Sequence, residues 1–249
     1  MKMLIARLKL HNFLTFSSSV GFSVIGGVSY PVYKPQPYLH NYALMYGFAG
    51  LLYVSLASPT KPKHPNEIDY SFLQDIEKKI YVYPARPQHL VIKRMLCNIK
   101  GEGYAEPTQP KPKTMYPWHV AHVYFGPGSV FETVIMIKDD SVKLPSVIRI
   151  GVKRQGVFKV EYIQAKIKEF TNGISDPVNL GDMLRFGLRP DSYILVLPTK
   201  TKRACVPYSN YIVKGFYREN VLAVIEGKIG RETTEFKLPI SKYSLYSLK

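Results

Sequence analysis

Hydrophobic and polar residues alternate along the start of the chain. Over residues 2–10, small and large apolar side chains fall on one side, while Arg7 and Lys9 fall on the other. A period of two is typical of a half-buried β-strand, so we predict a strand here. Glycine and proline recur in the segment that follows, and they predict a loop over residues 17–37.

The stretch from Pro37 to Pro59 contains no charged residue and is long enough to raise the possibility of a membrane span. Its four tyrosines are spread through the segment and are not gathered at two interfaces, and polar residues interrupt it. We therefore predict a helix buried within the fold and no membrane association. Further prolines end this helix, and Asn66 is predicted to cap a second, amphipathic helix that extends to Ile80.

After the second predicted helix, hydrophobic residues recur with the period of two that is typical of strands. Helices placed early and strands connected by short turns later favour an α+β fold with an antiparallel sheet. No linker divides the chain, so we expect a single elaborated domain over residues 1–249, β-rich from about residue 118. The predicted strands span residues 79–83, 90–100, 118–125, 130–138, 146–152, 158–166, 193–197, 211–216, 221–229 and 235–238.

The charge balance is strongly basic. The 249 residues include 34 lysines and arginines but only 18 aspartates and glutamates, a formal net charge of +16. No acidic residue precedes Glu67, and residues 143–160 and 192–218 are also free of acid. Such tracts indicate a polyanionic partner, with nucleic acid the first candidate and an anionic membrane the second.

Candidate chemistry for an enzyme or a metal site is sparse. The two cysteines lie far apart, and His119 and His122 are spaced so that they face opposite sides of a strand, so we predict no metal and no cofactor. The first ten residues alternate and do not form an apolar run, so we expect no secretory signal and a cytoplasmic location. A metal-independent endoribonuclease using His40 beside Tyr42 and Tyr46 stays open as an alternative.

Aromatic residues interleaved with basic ones favour binding over catalysis. The tract TKTKRACVPYSNYIVKGFYR begins at residue 199 and combines cations that can contact phosphates with tyrosines on which bases can stack. The alternative interpretation is a solvated hairpin edge that uses lysines against aggregation.

Three short motifs carry a family resemblance. The segment PYLHNYAL over residues 37–44 follows a first strand that ends in LKLHNFLTF, and residues 144–151 read LPSVIRIG. Residues 80–85, IYVYPA, are a weaker match. In order and spacing, these motifs resemble the small subunits of type I-D CRISPR effector complexes, the five-type Cas subunits also called the Csc-one family, within the repeat-associated mysterious protein (RAMP) superfamily.

The resemblance implies an RRM-like, ferredoxin-type βαββαβ core with inserted β-hairpins. It implies a non-catalytic subunit of an antiviral ribonucleoprotein, which binds the 5′ handle of the crRNA, caps the filament of backbone subunits and helps to contact target DNA near the protospacer-adjacent motif (PAM). The implied partners are crRNA, target DNA and the backbone (seven-type) and large (ten-type) effector subunits of a hetero-oligomer. A separate enzyme processes the precursor RNA in such systems.

By matching positions and by charge, we predict three groups of RNA-binding residues. One group flanks the first strand and the first helix, one lies in the second motif and the loop after it, and one forms a later basic tract. The candidates are Lys9, His11, His40, Asn41 and Tyr42, then Arg149, Lys153 and Arg154, and finally Lys200, Lys202 and Arg203.

Overall fold

The architecture is taken from a computed structural model. It describes residues 2–15, 18–25, 28–35, 37–49, 76–98, 119–151, 155–196, 211–229 and 232–240. The helices are α1 (Asn41–Ala49) and α2 (Leu180–Arg185), with a further helical turn over residues 76–79. The strands are β1 (Lys2–Leu10), β2 (Ser18–Ile25), β3 (Val28–Pro35), β4 (Ile80–Val82), β5 (Arg86–His89), β6 (Ile92–Asn98), β7 (His119–Phe125), β8 (Val130–Ile137), β9 (Val147–Ile150), β10 (Gly156–Ile174), β11 (Val178–Asn179), β12 (Ser192–Leu195), β13 (Ile212–Ile229) and β14 (Glu232–Pro239).

Strand β1 lies at the centre of the main sheet. It pairs antiparallel with β10 on one side and with β8 on the other, and the order across the sheet is β11-β13-β10-β1-β8-β4. From Leu4 to Leu10, its even-numbered residues face a core that includes Phe131 and Phe158, whose ring centroids are 6.0 Å apart. Since apolar and basic residues alternate in β1, the pairing commits the two faces of the sheet to different roles.

The two longest strands curl the sheet into a half-barrel. β10 has 19 residues and β13 has 18, and their register shifts between Ile167 and Glu169 and again between Thr171 and Gly173. Such irregularities bend a strand and increase its twist. The curl brings Gly227 of β13 over Ile5, where a Cβ on the glycine would lie 2.8 Å from the Ile5 Cδ1 atom.

Helix α1 covers the even-numbered face of the sheet. A Cβ at Gly47 would lie 2.9 Å from Cγ2 of Ile150 and 3.5 Å from Cβ of Ile148, so glycine permits this close approach. The helix therefore shields the apolar side of β9 and leaves the opposite side of that strand uncovered by α1.

A second sheet is assembled in the order β2-β3-β7-β6. β2 and β3 form an antiparallel hairpin, and β3 then pairs parallel with β7. The prediction of a loop over residues 17–37 is therefore wrong. Glycine and proline obscured the alternation in a hairpin whose second strand contains Pro31 and ends at Pro35.

Two features of the sequence-based assignment are confirmed. β1 has the predicted bounds, and the main sheet is antiparallel, with few helices among the described residues. The predicted strands 211–216 and 221–229 are one continuous strand, and α2 was not predicted. None of the described helices has the length and apolar run that a bilayer crossing requires. Most of the second predicted helix, with its cap at Asn66, lies outside the described residues.

The glycine directly after β9 provides a test of this packing. Gly151 has a φ of +91°, and a Cβ there would overlap Cδ1 of Leu14 and lie 3.0 Å from the Thr15 carbonyl oxygen. Gly187 is a matched control, because its φ is +72° and nothing lies within 4 Å of the corresponding position. We expect Gly151→Ala to lower the free energy of unfolding by about 2–4 kcal/mol through strain and overlap.

For Gly187→Ala we expect a loss of about 1 kcal/mol, which reflects the backbone conformation alone. Urea denaturation of both variants measures the difference. Equal losses would contradict the close packing of Leu14 under this hairpin.

Candidate nucleic-acid interface

The sheet assembles a strip of basic residues on the face of β1 opposite α1. Lys9 lies directly opposite Lys159 in the β1–β10 pairing, and Arg149 of β9 is opposite Val157, one position along the same face. His11 continues this face, since its backbone N–H donates to the carbonyl of Val157 at 2.9 Å. All four side chains of this basic strip (Lys9, His11, Arg149 and Lys159) are exposed.

The basic strip lacks the neutralisation found two residues earlier on the same strand. There, Arg7 donates from Nε to a carboxylate oxygen of the buried Glu132 at 2.9 Å, and it also pairs with Glu232 at 3.2 Å. Lys9, Lys159 and Arg149 form no ion pair with any residue that the structure describes. Like charges directly opposite on a sheet are unfavourable, so this arrangement favours an external anion.

The alternation of β1 continues past its end and adds an aromatic residue to the same face. Leu10 and Leu14 are buried, whereas Phe13 has 46% of its surface exposed. The Phe13 ring meets Tyr124 of β7 edge-to-face, with centroids 5.8 Å apart. In the pairing of β7 with β6, Tyr124 lies opposite the exposed Lys93. An exposed ring beside cations is the combination that unpaired bases recognise.

Asn12 fixes this segment in place. Its side-chain oxygen accepts the N–H of Val157 at 2.9 Å, and its amide nitrogen donates to the carbonyl of Gln155 at 2.5 Å. Thr15 contacts the side chain of Gln155 as well, through its hydroxyl at 3.1 Å. Since Asn12 is bonded to Val157 of β10 and Leu14 is bonded to Phe125 of β7, the Phe13 ring between them is held at a defined place.

His40 lies elsewhere, at the start of α1. Its Nδ1 accepts the backbone N–H of Tyr42 at 3.2 Å, and its carbonyl accepts the N–H of Leu44, so it caps the helix. The imidazole is tilted against the Tyr42 ring with centroids 5.0 Å apart. The motif PYLHNYAL thus encodes a helix start.

Asn41 and Tyr42 take part in a buried network centred on Asp182, which the sequence did not reveal. Asp182 accepts hydrogen bonds from the Asn41 amide at 2.7 Å and from the hydroxyls of Tyr42 and Tyr81 at 2.9 Å each. It also pairs with Arg185 at 2.8 Å.

This Asp182 network ties α1 to α2. Asn179 donates to the Asn41 side-chain oxygen at 3.0 Å and accepts the N–H of Asp182, which caps α2. Arg185 extends the network to Glu77 through a second pair at 2.7 Å. Asn41 is fully buried, so its side chain faces the protein and not the surface.

Burial dominates the protonation of the Asp182 network. It raises the pKa of the Asp182 carboxyl despite Arg185 and three hydrogen bonds, which lower it. It likewise raises the pKa of the Tyr42 hydroxyl, and the neighbouring Asp182 charge adds to that effect. A phenol with a raised pKa that already donates to a carboxylate is a poor general base.

The structure brings together some of the predicted residues and separates others. Lys9, His11 and Arg149 lie side by side in the basic strip, whereas His40, Asn41 and Tyr42 belong to α1 and the Asp182 network. Lys159, Phe13 and Tyr124 were missed, because long-range pairing brings them together: the β1–β10 register places Lys159 opposite Lys9, and the bridge between Leu14 and Phe125 brings the two rings into contact. The predicted residues that lie outside the described part of the chain are Lys153, Arg154, Lys200, Lys202 and Arg203.

In the sequence, Lys153 and Arg154 fall between β9 and β10, and the later tract falls between β12 and β13. Among the described residues, no group of histidine, cysteine or acidic side chains is arranged to hold a metal ion.

The Asp182 network yields a stability prediction. Asp182→Asn replaces one carboxylate oxygen by an NH2 group. This group faces side chains that are themselves hydrogen-bond donors, so at least one hydrogen bond is lost. The ion pair with Arg185 is lost as well. We expect the free energy of unfolding to fall by about 2–4 kcal/mol. The same change at the exposed Asp140 should alter it by less than about 0.5 kcal/mol. Chemical denaturation tests this, and indistinguishable effects of the two changes would show that the network does not hold α1 and α2 together.

Comparison with known proteins identifies the family of the chain. No curated protein matches the chain. The sequence model of the family described as type I-D CRISPR-associated protein Cas5/Csc1 matches residues 1–205. This range includes β1 to β12, and with them the whole basic strip and the Asp182 network. The chain therefore belongs to the type I-D CRISPR-associated Cas5/Csc1 family, and it is a component of a type I-D CRISPR effector system.

Proposed function

We propose that this chain binds the 5′ handle of the crRNA within the type I-D effector complex, and that the basic strip contacts the handle phosphates. The observation that carries the proposal is Lys9 opposite Lys159, with Arg149 beside them and no acidic partner among the described residues. Phosphate contacts supply affinity that is independent of base sequence. The excess of 16 positive charges over the chain assists the approach of the RNA.

In this proposal, Phe13 supplies the second kind of contact. Its exposed ring is held between Asn12 and Leu14, next to Tyr124 and close in sequence to His11. A base that is unpaired in the handle stacks on Phe13 while its flanking phosphates lie along the basic strip. Stacking selects single-stranded over double-stranded RNA, because paired bases do not present their faces.

We also propose that the core is related to the RRM-like βαββαβ fold. The support is that β1, β4, β8 and β10 correspond to the first, second, third and last strands of such a core, with α1 between the first two. Across the sheet these strands are adjacent in the order β10-β1-β8-β4, and all neighbours are antiparallel. The chain departs from the pattern between β8 and β10, where the described residues hold β9 and no helix. The basic strip lies on the sheet face opposite α1, the face that RRM domains use.

The same proposal includes a non-catalytic role at the end of the backbone-subunit filament, with a contribution to DNA contact near the PAM. The alternative, an endoribonuclease centred on His40, has less support, since His40 caps α1 and Tyr42 donates to Asp182. Incubating the purified chain with repeat RNA tests this part, and we expect no cleavage. Metal-independent cleavage that disappears in His40→Ala would establish the alternative.

The basic strip is tested by the salt dependence of RNA binding. Replacing Lys9, Arg149 and Lys159 together by alanine removes three phosphate contacts. We expect the slope of log K against log salt concentration to become shallower by about 2, since each contact with a single strand contributes about 0.7. Titration of the purified chain with handle RNA at several salt concentrations measures it.

Three other exposed lysines give a matched control with the same change in net charge, namely Lys166, Lys228 and Lys237. Their triple alanine variant should keep the slope within about 0.5 of the original. In the same assay, Phe13→Ala should weaken binding by about 1–3 kcal/mol without changing the slope, and Phe13→Tyr should retain binding. Equal slopes for the two triple variants would show that the RNA binds elsewhere.

A further inference from the structure

Strand β12 is an exposed edge of the C-terminal part of the main sheet. Within the described residues it pairs with β13 alone, and all four of its residues are exposed. Three of them are large and apolar: Tyr193, Ile194 and Leu195 have 48%, 67% and 38% of their surface exposed. A bare apolar edge is a template for pairing with another strand and a hazard if it stays uncovered.

The backbone of β12 offers hydrogen bonds in a defined pattern. The N–H of Val196 donates to the carbonyl of Ile212 at 2.9 Å, which makes Val196 and Ile212 a hydrogen-bonded pair. Because such pairs alternate along an antiparallel ladder, Ile194 bonds to Lys214, whereas the N–H and C=O groups of Tyr193 and Leu195 point away from β13. Two donors and two acceptors thus face outward at the spacing of an extended chain.

An apolar face adjoins this edge. Ile174 of β10 lies opposite Phe216 of β13, which lies opposite Ser192 of β12, so the row crosses three strands. Ile174 is 56% exposed and Phe216 is 39% exposed, and Ile194 lies on the same face of β12. Lys214, opposite Ile194, lies on the same face. The exposed apolar surface of Ile174, Phe216 and Ile194 suits the side chains of an extended protein strand.

The charges around β12 indicate the charge that a binding partner would carry. Arg189 and Arg218 are exposed next to the strand, and residues 192–218 contain no acidic residue. The carboxylate of Asp191 is already engaged, since it accepts the backbone N–H of Arg218 at 2.8 Å. A second copy of this chain would place two such basic segments side by side, which is unfavourable, whereas a strand flanked by acidic residues is complementary.

We propose that β12 is a β-augmentation site, at which an extended, apolar segment with acidic flanks from another protein subunit of the type I-D complex adds a strand. The segment pairs with the outward groups of Tyr193 and Leu195 and packs its side chains on Ile174, Phe216 and Ile194. Main-chain hydrogen bonds supply affinity, and the apolar row supplies specificity. This site is separate from the basic strip and does not depend on RNA binding there.

Amide hydrogen exchange, resolved to single residues, tests the proposal directly. The isolated full-length chain is compared with the effector complex purified from its host. We expect the Tyr193 and Leu195 amides to exchange at least about tenfold more slowly in the complex, because pairing protects them. The Ile194 amide is an internal control, since its bond to Lys214 protects it in both samples.

Three results would overturn the proposal. The first is unchanged exchange at Tyr193 and Leu195 in the complex. The second is protection by handle RNA alone, without protein, which would assign the edge to RNA. The third is protection that grows with the concentration of the isolated chain, which would assign it to a second copy.

A variant gives an independent measurement. Leu195→Pro removes one outward donor and leaves the ladder to β13 intact, whereas Leu195→Val keeps the donor. We expect co-purification of the other protein subunits to fall at least about tenfold for Leu195→Pro and to be retained for Leu195→Val. The melting temperature of each isolated variant shows whether the fold is kept. Normal recovery of every subunit with folded Leu195→Pro would contradict the proposal.

Discussion

The double pairing of β1, with β10 on one side and β8 on the other, determines which side chains of this strand lie in the core and which lie in the basic strip. It fixes which face of the sheet each residue of β1 occupies, since a shift of one residue would exchange the core and the surface. The leucines of β1 then lie in the core, while Arg7 and Lys9 point to the other side. This register places Lys159 opposite Lys9, and the pairing of β10 with β9 adds Arg149 to the same face.

That face of β1 combines two electrostatic environments within a few residues. Arg7 is held by the fully buried Glu132 and by Glu232, where the curled C-terminal strands approach the sheet. Lys9 lies past that cover, opposite another lysine and without an acidic partner in the described part of the chain. The ion pairs of Arg7 join the sheet to the C-terminal strands. The positive charges around Lys9 stay close together, which is unfavourable and would be relieved by an RNA backbone.

Whether the sequence predicts a feature depends on how far apart in the chain the interacting residues lie. The alternation in residues 2–10 is local, and it predicted β1 with its bounds and the exposure of Lys9. The antiparallel sheet and the family followed from the same kind of short-range pattern. The β2–β3 hairpin was missed, because its glycines and prolines are also typical of loops.

Long-range contacts account for most of the remainder. Asp182 lies about 140 residues after Asn41, and nothing in the motif PYLHNYAL indicates that its asparagine is buried against that carboxylate. Asn41 and Tyr42 were therefore predicted as RNA contacts, although the structure places them in a network that joins α1 to α2. Similarly, Phe13 and Tyr124 are ordinary aromatic residues in sequence and become a ring pair only when Leu14 bridges to Phe125.

The most direct test of the central claim is ultraviolet cross-linking of the native effector complex, followed by mass spectrometry of the peptide–nucleotide adducts. We expect adducts on Phe13 or Tyr124, with attached nucleotides that belong to the repeat-derived 5′ handle of the crRNA. Adducts on these residues that carry spacer-derived nucleotides, or handle adducts confined to other parts of the chain, would contradict this claim.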